Sequence, residues 1–197
     1  MKYNNLFSSQ LKLFSVYILV YIVIIGCNNT NAIALDEMCT QTPKYSETFE
    51  LPKGLIGYNN YELALDCAKK TNRSLAIYFT GFACVNCKYF ERDFLYQDEV
   101  KEMLNENFII AVLYVDDKRE LPEEDQVEVT SNYSNQSRVV RTVGHLNVSL
   151  TNKYHHSSHP SLFIATNSEE IISFIQYNPD ESELLRQLEE AILKSKD

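Results

Sequence analysis

The strongest constraint in this chain is a junction. Leu75-Ala76-Ile77-Tyr78-Phe79 is a continuous apolar run of strand length, followed by Thr80-Gly81-Phe82-Ala83 and then by Cys84-Val85-Asn86-Cys87. A run that is apolar at every position has no solvent face, so it is expected as a central strand buried on both sides. From Cys84 to about Leu95, the residues Phe90, Phe94 and Leu95 fall on one side, while Lys88, Arg92 and Asp93 fall elsewhere, which is the spacing of a helix. Two cysteines three residues apart therefore open a helix directly behind a buried strand.

The neighbouring segments extend this pattern. Tyr61 to Lys70 carries Leu63, Ala64, Cys67 and Ala68 at helical spacing and is broken by Thr71-Asn72-Arg73. A further helix is expected over Asp98 to Asn107, with Asp98 as its cap. Phe108 to Val115 reads as a second apolar strand. Asp116 to Val129 reads as a charged loop, Ser131 to Ser137 is polar, and Val139 to Leu150 fits neither period. Ser161 to Ala165 and Ile171 to Tyr177 read as a hairpin joined by Asn167-Ser168-Glu169-Glu170. Asp180, with Glu183 three residues on, starts a last helix whose apolar face is Leu184, Leu185, Leu188, Ile192 and Leu193. The order α-β-α-β-(insert)-β-β-α implies an α/β domain, a mixed central sheet flanked by helices.

Charge narrows the partners. The formal net charge is −9, and Lys2 and Lys12 are the only charges before Asp36, so the remainder is more acidic still. An acidic domain lacks the basic face that phosphates need, which argues against nucleic acid. No nucleotide-binding motif is present, and no cofactor is expected.

The cysteine pair carries the chemistry. Disulfide exchange needs two thiols within bridging reach, one of them exposed and acidified. At a helix start, unpaired amides favour a thiolate on Cys84, and Cys87 lies one turn on. Cys84 is thus the expected nucleophile and Cys87 the resolving thiol. Zinc is the competing reading, because His155, His156 and His159 cluster in sequence, but no second cysteine pair completes a structural site. A metal-binding or metal-delivery lipoprotein and a non-catalytic adaptor are the alternatives to an enzyme.

Residues Phe79-Thr80-Gly81-Phe82-Ala83-Cys84-Val85-Asn86-Cys87-Lys88-Tyr89-Phe90-Glu91 resemble the active-site segment of the thioredoxin-like C-terminal domain of the DsbD thiol:disulfide interchange family. Tyr114-Val115-Asp116-Asp117-Lys118 with Glu120-Leu121-Pro122, His159-Pro160-Ser161-Leu162-Phe163 and Tyr177-Asn178-Pro179-Asp180 are similar to later segments of that family. The resemblance covers about residues 53–197 and does not include the family's multi-span membrane domain. It implies a thioredoxin-like fold, a protein-disulfide reductase, a disulfide-containing protein substrate and a membrane electron donor of the DsbD type. It also implies a cis His159-Pro160 bond beside the cysteine pair, with both residues at the substrate platform. Of two acids that matter in the family, one matches Glu91, which shares a helix face with Cys87 and could exchange a proton with it. The other falls at Tyr78, a departure, since a phenol with an ordinary pKa near 10 is a poor base.

Residues 1–26 read as an export signal: two lysines, then an almost purely apolar stretch from Leu13 to Ile25, shorter than the about 20 residues a comfortable membrane span needs. Ile24-Ile25-Gly26-Cys27 resembles the bacterial lipobox, which implies lipidation of Cys27 and a place on the periplasmic side of a bacterial membrane. A plain cleaved signal and a single-span anchor are the alternatives. Residues 27–52 read as a flexible tether and 53–197 as the domain. Cys67, on the apolar side of its helix, is expected as a buried free thiol, and Cys39 in the tether as idle or paired with another chain.

Overall fold

The computed structural model describes Cys39 and residues 54–130, 137–154 and 158–196. The chain divides into two compact units, residues 1–40 and 41–197. The expected signal segment, Cys27 and most of the tether lie outside the described residues, as do His155 and His156.

The domain begins with a two-residue strand, β1 (Gly57–Tyr58), and helix α1 (Tyr61–Thr71). Asn60 caps α1 by accepting from the Leu63 amide, and Asn72 ends it in the left-handed conformation at φ 52. Strand β2 (Ser74–Thr80) leads to helix α2 (Val85–Phe90), which continues as a π-helical turn over Glu91–Leu95. Helix α3 (Asp98–Asn107) and strand β3 (Phe108–Tyr114) follow. Strands β4 (Val127–Thr130) and β5 (Ser137–Val140) form a separate antiparallel pair, and helix α4 spans Val143–Lys153. Strands β6 (Ser161–Ala165) and β7 (Ile171–Gln176) and helix α5 (Glu181–Lys194) complete the domain.

The main sheet has the order β1-β3-β2-β6-β7. β3 is parallel to both β1 and β2, whereas β6 is antiparallel to β2 and to β7. It is the mixed sheet expected from the element order. β2 and β3 occupy its centre and are apolar along nearly their whole length because both faces are covered. On one face, Ala76, Tyr78, Ile110 and Val112 pack with Phe90, Phe94, Val100, Leu104 and the inner side of α5. The other face carries Phe79 and Phe163 against Tyr154 at the end of α4.

Several local expectations are corrected. Gln97, not Asp98, precedes α3 as its cap residue, and Asp98 is the first helical residue, paired with Lys101. Asp180 does cap α5, accepting from Ser182 and Glu183 amides. Glu183 turns away to Arg186 and Gln187, and Asn178 instead accepts the Asp180 amide. Leu193 is exposed, and Ala191 takes the inward place. The charged loop and polar stretch hold β4 and β5, which rest on a small cluster of Leu121, Val140 and Val143. Cys67 is buried as expected but is disulfide-bonded, not free, and so is Cys39. No described helix is long and apolar enough to cross a membrane.

Gly144 shows how tightly the first turn of α4 seats on the segment after β3. A Cβ there would lie 2.6 Å from the Asp117 amide nitrogen and 2.7 Å from the carbonyl oxygens of Asp117 and Val115. These are backbone atoms that cannot swing aside. Gly144→Ala should therefore cost about 1–3 kcal/mol through overpacking, visible as a lower thermal midpoint. An unchanged midpoint would show that the segment yields.

Candidate active site

The site forms where β2 ends. The Cys84 amide donates to the Gly81 carbonyl at 3.2 Å, closing a turn over residues 81–84. The Asp116 carboxylate, just beyond β3, accepts from the Phe82 and Ala83 amides at 2.8 and 2.9 Å. The exposed Phe82 ring stacks on Tyr114 with centroids 4.2 Å apart. Cys84 sits at the cap position of α2 with extended backbone, and its Sγ accepts from the Cys87 amide at 3.1 Å. The two cysteines form a disulfide with Cα atoms 5.2 Å apart. Cys84 is half-buried, whereas Cys87 is fully buried. One cysteine of the pair is thus partly accessible and the other is sheltered.

Glu91 is buried one turn after Cys87, and its amide donates to the Cys87 carbonyl. A buried carboxylate is tolerated only with donors around it. Thr80 Oγ1 donates to Glu91 Oε1 at 3.0 Å, and the half-exposed Lys88 ammonium reaches Oε2 at 3.1 Å. Tyr78 and Tyr96 hydroxyls approach at 3.3 and 3.5 Å, longer than a strong O–H···O bond. Burial, and then the Glu91 charge, pushes the Tyr78 hydroxyl far above its ordinary range. Tyr78 therefore keeps its proton at neutral pH and is a hydrogen-bond donor to Glu91, in keeping with its expected weakness as a base. Tyr114 is raised by the same two causes in the same order.

The His159-Pro160 bond is cis. Pro160 is buried and His159 half-buried. Because Ser161 is paired opposite Phe79, the proline reaches the end of the sheet from which the cysteine turn departs. Among the described residues, no three His, Cys, Asp or Glu side chains converge to hold a metal ion. Asp116 stood in the sequence only as part of a resembling segment. Its proximity to the turn follows from the β2–β3 register, which a single-sequence pattern does not state.

Residues 57–144 match the family described as thioredoxin-like. The domain has a thioredoxin-like fold. DsbH, an oxidoreductase, superposes with a TM-score of 0.53 at 15% identity, covering 80% of this chain and 97% of its own. A thioredoxin from Thermus thermophilus superposes with a TM-score of 0.51 at 18% identity, covering 71% of this chain and 89% of its own. No curated protein sequence matches the chain. The thioredoxin-like domain thus has the fold of disulfide oxidoreductases with a vicinal Cys84–Cys87 pair.

The donors around Glu91 can be ranked by substitution. Tyr78→Phe removes one long hydrogen bond and should cost about 0.5–1.5 kcal/mol. Glu91→Leu leaves the buried Thr80 hydroxyl without its acceptor and should cost more, about 1–3 kcal/mol. Denaturant titration of both variants checks the order, and a larger loss for Tyr78→Phe would place the weight of the network on the phenol.

Proposed function

We propose that this domain is a thiol–disulfide oxidoreductase that reduces protein disulfides outside the cytoplasm. The observation that carries the reading is the asymmetry of the pair: Cys84 half-open at a helix start and receiving an amide hydrogen bond, Cys87 fully buried beside it. In the reduced enzyme the Cys84 thiolate attacks one sulfur of a substrate disulfide. That bond breaks, a mixed disulfide forms, and the first substrate sulfur leaves as a thiolate. Cys87 loses its proton to Glu91 and attacks Cys84 Sγ. The Cys84–Cys87 disulfide forms, and the second substrate thiolate is released. The substrate has gained two electrons and the pair has lost two. A membrane electron donor of the DsbD type returns them. Pro160 and His159, at the same sheet end, form the platform for the substrate backbone.

An extracytoplasmic place is supported by the leader-like residues 1–26 and by the disulfide bonds of Cys39 and Cys67. Persistent disulfides beyond a catalytic pair belong to oxidising compartments. The lipobox-like Ile24-Ile25-Gly26-Cys27 then makes Cys27 the anchor. Metabolic labelling with a fatty acid should mark wild type and not Cys27→Ser, and label retained in the variant would remove the anchor from this reading.

The roles of the pair separate in trapping experiments. Cys87→Ser should accumulate mixed disulfides with substrate, whereas Cys84→Ser should accumulate few. A reversed pattern would exchange the two roles. For the direction of flow, a reduction potential near the thioredoxin value of about −270 mV is expected, and one near −120 mV would mark an oxidant instead.

A further inference from the structure

Asp116 and Asp117 are adjacent acids just after β3, and they do different things. Asp117 is buried and turns to Arg119, with its Oδ2 2.6 Å from Nη2. Asp116 turns to the other side, across the end of β2. Its Oδ1 takes the Phe82 amide and its Oδ2 the Ala83 amide. These are the two central amides of the turn that the Cys84 amide closes on Gly81. Phe82 and Ala83 are exposed, so water would satisfy their amides equally well. The carboxylate therefore adds position, not hydrogen-bond satisfaction.

The position is referred to the inner strands of the sheet. β3 is paired with β2 along its whole length, from Ser74 opposite Phe108 to Thr80 opposite Tyr114. The Val115 amide then donates to the Thr80 carbonyl at 2.9 Å, so the ladder continues up to Asp116. A second tie comes from the same place, the Tyr114 ring stacked on Phe82. Gly81 makes room for the carboxylate: a Cβ there would stand 3.2–3.3 Å from the Asp116 carboxylate atoms. One strand end thus grips the residue two before Cys84 by its main chain and by its side chain.

We propose that Asp116 is a positioning residue for thiol–disulfide exchange, holding the turn 81–84 so that Cys84 Sγ stays where the Cys87 amide donates to it. This rests on the exchange function proposed above. Asp116 is also an anion near the nucleophile, and that effect has the opposite sign. Removing a negative charge alone would ease Cys84 ionisation and speed its reaction, whereas loosening the turn would withdraw the amide from the thiolate and slow it. The charged or titratable groups on the elements that meet at this sheet end include Lys88, Tyr89, Glu91, Arg92 and Asp93 from helix α2 and its continuation, Tyr78 on β2, Tyr96 after the π-helical turn, Tyr114 on β3, Asp117 with its partner Arg119, and His159 before β6.

The test uses the reduced full chain and a small aromatic disulfide as probe, with the rate of Cys84 attack followed against pH. Asp116→Ala, which loses both hydrogen bonds, should react on the order of ten-fold more slowly at neutral pH, with the midpoint of its rate profile moved to higher pH. Asp116→Asn keeps one acceptor oxygen and should fall between. A rate in Asp116→Ala equal to or faster than wild type, or a loss of thermal stability with the profile unmoved, would overturn the positioning role. If Asp116→Ala does not fold, Asp116→Asn decides alone: slower than wild type supports the role, and equal or faster overturns it. A wild-type protein whose reduced pair does not react with the probe would overturn the exchange function itself, which separates the two failures.

Discussion

The site depends on β2 and β3 stopping together. Seven parallel pairs bring Thr80 level with Tyr114, so the two chains leave the sheet at one height and side by side. One becomes the turn that presents Cys84, and the other supplies the ring and the carboxylate that hold that turn. A shift of one residue in this register would turn each buried side chain to the opposite face and part Asp116 from the Phe82 and Ala83 amides. The packing of both strands is therefore part of the active site, because the two covered faces take different partners: Tyr78 meets Phe90 on one and Phe79 meets Phe163 on the other.

Beneath the cysteines lies a second requirement, a charge in a dry place. Glu91 is almost wholly buried, and an ion there is stable only with a counter-charge and hydrogen bonds. Lys88 supplies the first from the solvent side, and Thr80 the closest of the second from the strand. The helix changes from α to π at this residue, with the Tyr96 amide donating to the Glu91 carbonyl five positions back. Such turns accommodate one extra residue and recur at functional sites. Here the change lets Phe94 and Leu95 both face the core while Tyr96 turns its hydroxyl toward the carboxylate.

Much of this arrangement was legible in the residues, because the features concerned are local. The apolar runs at Leu75 and Phe108, the 3.6-residue spacing of α1 and α5, and the hairpin around Asn167 each lie within one short window. Glu91 was singled out by the family resemblance, and its place four residues from Cys87 on one helix is equally local. The strands β4 and β5 were not, since Val127 and Val139 are exposed and the alternation that marks a half-buried strand is too thin. The helix over Val143–Lys153 was obscured by its glycine and β-branched residues, and it is held by packing on the segment after β3. The Tyr78–Glu91 approach, the Asp116 clamp and the bonded state of Cys67 join residues far apart in the chain, where no periodicity reports. The departure at Tyr78 was visible, but its resolution, a phenol that donates to the acid on the facing helix, required the fold.

The outer position of β7 has a consequence for how the molecule keeps to itself. Ile171-Ile172-Ser173-Phe174-Ile175-Gln176 carries no charge and no proline, and among the described residues it is the last strand of the sheet. Such a strand is a template for another chain. Its guard is at the ends: Glu169-Glu170 immediately before it and Pro179-Asp180 shortly after. These act as gatekeepers, placing like charges and a missing donor where a second copy would begin to add on. Resistance to edge-to-edge association is thereby lodged in four residues apart from the cysteines, one of which, Glu169, also accepts from the hydroxyl of the buried Tyr61.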